Sequence, residues 1–297
     1  MKPEAVTYAG LAFALTVLVA CAGAPEGTQS AASDPLNMTT PAPLRASPAL
    51  PAAATAAPAR MPGFLTAATA PDALATIPPA PKAGEPRNDL DWAIFKATRK
   101  LEGTERWALA QNDDNYRPAA LLKDYSCAVG AELTPENAPT LARILARTTA
   151  DAGTAAQRAK EVYQRTRPYL HNEGNICIER SDSLSKSFDY PSGHSSLGWV
   201  SGLVVAQLAP DRATQVLARA RAFGESRVVC GVHNMSAIEA GRTNGAGVFA
   251  ALQASPDFQS AMTTAKAEIA AARTSGKTPD AAACAKEAEL TKPLAVP

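Results

Sequence analysis

The 297-residue chain carries 29 basic and 28 acidic residues, a net charge of +1, and is 46% hydrophobic but only 5% aromatic. This is enough apolar material for one large core or two small ones, which excludes a wholly disordered chain. The near balance of charge excludes a general electrostatic attraction to nucleic acid or to membrane surfaces, so any recognition of an anion must be local.

Residues 1–20 read as an export signal: Lys2 precedes an apolar run from Ala9 to Ala20 that is short for a membrane span. The tetrad Leu18-Val19-Ala20-Cys21 resembles a bacterial lipobox, which makes Cys21 the candidate for lipidation and for a lipid anchor at the outer membrane. An ordinary signal peptide cut nearby is the alternative. With Cys21 set aside, Cys127, Cys177, Cys230 and Cys284 permit two disulfides in an oxidising compartment, in any of three connectivities. Neither a Cys-x-x-Cys pair nor a Cys/His cluster occurs, which argues against a zinc site.

Between Ala22 and Pro86 fall 13 of the 24 prolines and one aromatic residue, Phe64, so residues 21–86 read as a mostly disordered linker. Its last part, around Ile77-Pro78-Pro79, is the portion expected to touch the folded domain.

Helical periodicity starts after Asp89 with Trp92, Ile94 and Phe95, and the folded domain is expected over 87–275 with a tail at 276–297. Leu141, Ile144, Leu145 and Thr148 mark one helix, and a further one is expected from about Ala155 until Pro168 stops it. Gly193 to Leu208 reads as an apolar helix, followed by helical spacing through Phe223 and Leu252. Ser255-Pro256 supplies a cap and first position for a last helix. The expected fold is an all-α bundle whose Ala-rich helices give a hint of self-association.

Two of the three histidines sit in unusual surroundings. His194 follows Pro191-Ser192-Gly193 at the mouth of the apolar helix, where unpaired N–H groups and the helix dipole suit a phosphate. Lys160 and Arg167, seven residues apart, are expected on one face of a helix ending at Pro168, aimed at one anion. A solvated face is the bland reading of that pair. His233 lies six residues after Arg227 across an apolar run, which suits either a pocket wall or a buried core histidine.

Together, Lys160 to Pro168, Pro191 to His194 and Ser226 to His233 resemble the tripartite Lys-x6-Arg-Pro, Pro-Ser-Gly-His and Ser-Arg-x5-His signature of the phosphatidate phosphatase type 2 superfamily. The surrounding sequence is similar to the soluble class A bacterial non-specific acid phosphatases. The resemblance implies a periplasmic enzyme that hydrolyses small phosphomonoesters without metal or other cofactor. His233 would attack phosphorus and His194 would protonate the leaving group, with Lys160, Arg167, Ser192, Gly193 and Arg227 holding the phosphate oxygens. One departure stands out. The family pattern continues to an Asp four residues after the nucleophile, and here that position is Ala237. Asn234, a backbone carbonyl or a water are the candidates to orient His233 in its place. The alternative to a phosphatase is accordingly a phosphate-binding pseudo-enzyme with weak or no turnover.

Overall fold

A computed structural model describes residues 61–297; the export signal, Cys21 and the first part of the Pro-rich stretch lie outside the described residues. Among the described residues the chain forms helices and their connections, with no strand. In order these are α1 (Ala73–Thr76), α2 (Pro86–Arg99), α3 (Glu105–Asn112), α4 (Pro118–Val129), α5 (Pro139–Tyr163) and α6 (Asp182–Lys186). The second half continues with α7 (Gly193–Leu208), α8 (Ala213–Val229), α9 (Met235–Leu252), α10 (Pro256–Thr274) and α11 (Ala281–Leu290). The all-α expectation holds.

Local chemistry explains the helix starts. Pro occupies the first turn of α2, α4, α5 and α10, where its missing N–H costs no hydrogen bond. Thr104, Ser192 and Ser255 cap α3, α7 and α10 by accepting from the amides of Trp107, Ser195 and Phe258.

The bundle is built around α7, which buries residues all round its circumference and packs against α5, α8 and α9. Small residues let these axes approach. A Cβ on Gly202 would lie 2.3 Å from the Ala220 methyl of α8, and one on Gly245 of α9 would lie 2.5 Å from the backbone oxygen of Ser196. Leu197, Val200 and Val204 of α7 then share one core with Leu141, Ile144 and Leu145 of α5, Phe223 of α8 and Phe258 of α10.

The structure differs from expectation along α5. Residues 139–163 form one 25-residue helix in place of two, because its buried positions keep helical spacing from Leu141 through Thr148 and Ala152 to Ala159 and Lys160. The helix also ends earlier than Pro168. Gln164 turns left-handed at φ 45°, and Arg167 is extended at φ −70°, ψ 146°, the conformation that a following proline favours. Lys160 and Arg167 therefore do not share a helix face; the chain reverses between them.

The segments at either end of the domain pack against it. The Asp151 carboxylate of α5 accepts from the amides of Phe64 and Leu65 at 2.9 and 3.0 Å, and the Phe64 ring meets Phe258 edge-on. Ala73, Ile77 and Ala80 cover Ala159, Tyr190, Ala237 and Ala240, and Tyr190 donates to the Pro78 carbonyl at 2.6 Å. At the other end, a Cys127–Cys284 disulfide fastens α11 to α4. The second disulfide, Cys177–Cys230, ties the loop before α6 to the end of α8.

The Gly245 contact generates a prediction. Gly245→Ala places a methyl against rigid backbone and is expected to destabilise the fold by about 1–3 kcal/mol. Gly247→Ala, two residues on, meets only Pro71 at 3.8 Å and is expected to be neutral or stabilising by up to about 1 kcal/mol. Urea unfolding of the two variants measures the contrast.

Candidate active site

Three helix ends meet at one point. The C-terminal turn of α5 brings Lys160, the N-terminus of α7 brings Ser192, Gly193 and His194, and the last turn of α8 brings Arg227. His233 stands in the turn between α8 and α9. Gly231, at φ 80°, reverses the chain there, and the amides of Val232 and His233 donate back to the Arg227 carbonyl at 3.1 and 3.2 Å. Arg99 of α2 also donates to the last carbonyls of α8, Val228 and Val229, at 2.8 and 2.6 Å. The polypeptide that carries the His233 ring is thus tied down on both sides.

His233 is buried and has two polar contacts whose direction is unambiguous. Its Nδ1 lies 2.8 Å from Oδ1 of Asp189, and its Nε2 lies 3.1 Å from Nη1 of Arg167. An ionised carboxylate only accepts and a guanidinium only donates. Both partners therefore select one neutral tautomer, with the proton on Nδ1 and a lone pair on Nε2. Asn234, considered from sequence as the group orienting His233, instead donates its backbone N–H and its side-chain amide to Asp189, at 3.1 and 2.8 Å.

The cations are held without full neutralisation. Arg227 is buried, and of its guanidinium nitrogens Nη2 pairs with Asp114 at 2.9 Å while Nε and Nη1 have no partner. Arg167 spends its donors on the carbonyls of Ser187 and Val232, at 2.8 Å each, and Lys160 donates to the Phe188 carbonyl. Burial, reinforced by Arg167, pushes the Lys160 ammonium down to about 8, and burial likewise pushes Arg167 down to about 10. Burial, and after it the Arg167, Lys160 and Arg227 charges, holds the His233 imidazole well below its usual range. Burial and then Arg227 do the same to His194, although a fifth of that side chain remains exposed.

His194 sits between the edge of Tyr116, 5.0 Å between ring centres, and a stacked Phe223 at 6.2 Å. Its Nε2 is 3.2 Å from the Asp114 carbonyl, which can only accept, so this nitrogen carries the proton. Ser192 contributes less of its backbone than the sequence suggests. Its N–H donates to the Ala237 carbonyl at 2.9 Å, which leaves the hydroxyl as its free donor. Gly193 occupies the first position of α7, where helix geometry leaves the N–H unpaired within the helix.

All seven residues singled out from the three motifs belong to this region, with Lys160 and Arg167 arriving by a different route from the one expected. Sequence reasoning missed Asp189, Asp114 and Arg165. An acid between Phe188 and Tyr190, one residue removed from Pro191-Ser192-Gly193-His194, is a signal for a buried carboxylate beside the motif. Asp114 carries no comparable signal, because it reaches the pocket from the loop between α3 and α4.

Residues 141–259 match the PAP2 superfamily, so the fold and the three motifs define a helical protein of the PAP2 type. The chain is similar to an acid phosphatase of Zymomonas mobilis subsp. mobilis, 40% identical over 214 residues that cover 72% of this chain and 81% of the relative. It is also similar to non-specific acid phosphatases of Providencia stuartii, 36% identical over 70% of this chain and 84% of the relative, and of Salmonella typhimurium, 33% identical over 65% and 78%. The chain belongs to the acid phosphatase family within the PAP2 superfamily.

The carboxylate of Asp114 stands against Arg227, the donor with unused N–H groups, and is partly exposed. An anion that used the unpaired Arg227 N–H groups would have to share or displace that contact. Asp114→Ala is expected to tighten binding of inorganic phosphate by on the order of 1 kcal/mol, roughly fivefold, measured by isothermal titration. Weaker binding by the variant would show that Asp114 helps to hold the anion.

Proposed function

We propose that the chain hydrolyses phosphomonoesters through a phosphohistidine at His233, using fixed cations in place of a metal ion. The observation that carries the reading is the buried Arg227 with two unpaired N–H nitrogens, set beside Lys160 and Arg167 around a histidine whose Nε2 presents a lone pair. A cluster of desolvated cations is costly unless it receives an anion, and a phosphate supplies several acceptor oxygens and up to two negative charges.

The chemistry follows from the positions. Phosphate oxygens take up the guanidinium donors of Arg227 and Arg167, the Lys160 ammonium, the Ser192 hydroxyl and the Gly193 amide. Arg167 is drawn from His233 Nε2 to the phosphate, and the lone pair attacks phosphorus. In the phosphate-bound site His194 has taken up a second proton and is an imidazolium; the bond from phosphorus to the leaving oxygen breaks, that oxygen takes the proton of His194 Nε2 and departs as an alcohol, and His194 is left neutral. A water then attacks phosphorus, His194 accepts its proton, and the P–N bond breaks to return His233 and inorganic phosphate. Recognition directed at the phosphoryl group supports broad tolerance of the alcohol. The pseudo-enzyme reading rested on Ala237; the hydrogen bond from His233 to Asp189 favours turnover over it.

We also place the protein outside the inner membrane. The N-terminal signal pattern supports this, as do two disulfides, which belong to an oxidising compartment. The hint of self-association is tested by the sedimentation of the mature chain.

Hydrolysis of p-nitrophenyl phosphate is expected to persist in EDTA and to be abolished in His233→Ala. EDTA-sensitive turnover, or turnover that survives the substitution, overturns the mechanism. The pKa directions add a second expectation. In the empty site His194 is held low by burial and Arg227, whereas a bound phosphate dianion raises it, so binding takes up a proton at pH values between the free and bound pKa. Phosphate affinity is then expected to rise as pH falls through the bound-state pKa. Calorimetry in buffers of different ionisation enthalpy reads the proton uptake directly.

A further inference from the structure

We infer that Asp189 is the positioning carboxylate of His233, holding its proton on Nδ1 and balancing the charge that His233 acquires when Nε2 bonds to phosphorus. The inference rests on the proposed role of His233 as nucleophile. It assigns the carboxylate to a different element from the one that carries the nucleophile, since position 237, one turn into α9, holds an alanine.

Four observations carry it. Asp189 is fully buried, so its carboxylate has no water to satisfy it, and one of its oxygens lies 2.8 Å from His233 Nδ1. The carboxylate is held in that direction by the two Asn234 bonds, and its backbone by an Asp189 N–H bond of 2.7 Å to the Arg165 carbonyl. A countercharge is close: Arg165 Nη1 lies 3.5 Å from the second Asp189 oxygen, and the same nitrogen pairs with Asp91 at 2.9 Å while Nη2 takes Asn88 at 3.1 Å. Finally, the Ala237 side chain offers no acceptor. It is buried in an apolar cluster with Ala73, Ile77, Ala80, Ala159, Tyr190 and Ala240.

The charge that develops on the ring calls for such a residue. Attack through Nε2 with the proton retained on Nδ1 leaves the imidazole positively charged. That cation forms beside Lys160, Arg167 and Arg227, all of which already oppose it. Asp189 is the carboxylate in hydrogen-bond contact with the ring, and its negative charge offsets the new positive one where it appears. Burial raises the Asp189 carboxyl above its ordinary range, while Arg165, the Asn234 bonds and Arg167 act to keep it ionised. Arg165 therefore supports the negative charge on which the positioning depends.

The test begins with the unaltered protein, so that it does not depend on a variant folding. Nitrogen-15 NMR of histidine-labelled protein is expected to show His233 protonated on Nδ1 and bare on Nε2 in the ligand-free state; the opposite tautomer overturns the inference. Asp189→Asn then keeps the shape but can donate an amide hydrogen to Nδ1, moving the ring proton to Nε2 and removing the attacking lone pair. The variant is expected to show the reversed tautomer and a kcat for p-nitrophenyl phosphate lower by on the order of 10³ to 10⁴, by analogy with the carboxylate of serine-protease triads. Its dissociation constant for inorganic phosphate is expected to stay within about fivefold, since the donors to the anion are untouched. A folded Asp189→Asn protein with kcat within tenfold of the original, or with the original tautomer, refutes the inference. Should His233→Ala retain activity while the tautomer is as expected, the nucleophile assignment fails and the hydrogen-bond geometry stands, so the two failures are distinguishable.

Discussion

The organising constraint of this molecule is the burial of Lys160, Arg167 and Arg227 around a single imidazole. Cations that approach one another out of water repel and lose hydration, and the lowered Lys160 and Arg167 pKa values record that cost. The surrounding backbone meets part of it. Carbonyls of Phe188, Ser187 and Val232 accept from Lys160 and Arg167, and each belongs to a segment that passes the site without regular structure. Those segments have unspent carbonyls because they are not helical. A helix interior would have none to offer.

Holding such a site requires helix ends rather than helix middles. The last turn of α5, the first of α7 and the last of α8 converge on it, and the α7 contacts with α5, α8 and α9 set where they meet. Close approach of these axes depends on glycine at positions such as 202 and 245. Displacement of one axis by a methyl group moves a cation relative to the other two, so packing in the core and geometry at the mouth are linked. The Cys177–Cys230 disulfide acts in the same direction. Its second half-cystine is the residue that caps the end of α8, three positions from both Arg227 and His233.

Much of this was legible in the sequence because motif residues and local rules agree. The helix over Gly193–Leu208, its Ser192 cap and the Ser255-Pro256 start follow from capping and periodicity, and the three motifs name the residues that the fold collects. What escaped was long-range. Whether residues 160–167 continue a helix depends on the left-handed Gln164 and on Pro168, and only Pro168 is a strong local signal. The Pro-rich composition of residues 61–85 reads as linker, yet Phe64, Ala73 and Ile77 find a surface on α5, α9 and α10 that no local pattern reveals. Alanine at 237 reads as a missing function only while position 189 is considered a distant residue. The 44-residue separation of Asp189 and His233 vanishes in the fold.

Two carboxylates approach the cationic cluster, and their different surroundings give them opposite effects. Asp189 is fully buried, fixed by Asn234 and directed at His233, so its charge is not screened and, in the proposed reaction, serves the ring that becomes positive. Asp114 is partly exposed, lies on Arg227 and touches His194 through its backbone carbonyl, so its charge faces the space that an incoming anion takes. On the proposed mechanism, the first would stabilise the charged state formed during the reaction, whereas the second would stabilise the empty site and yield to an arriving phosphate. Selective stabilisation of what forms later, without tighter holding of what is present at the start, is what raises a rate. The buried acid meets that condition and the exposed one does not, which is why the loss of Asp189 is expected in kcat and the loss of Asp114 in binding.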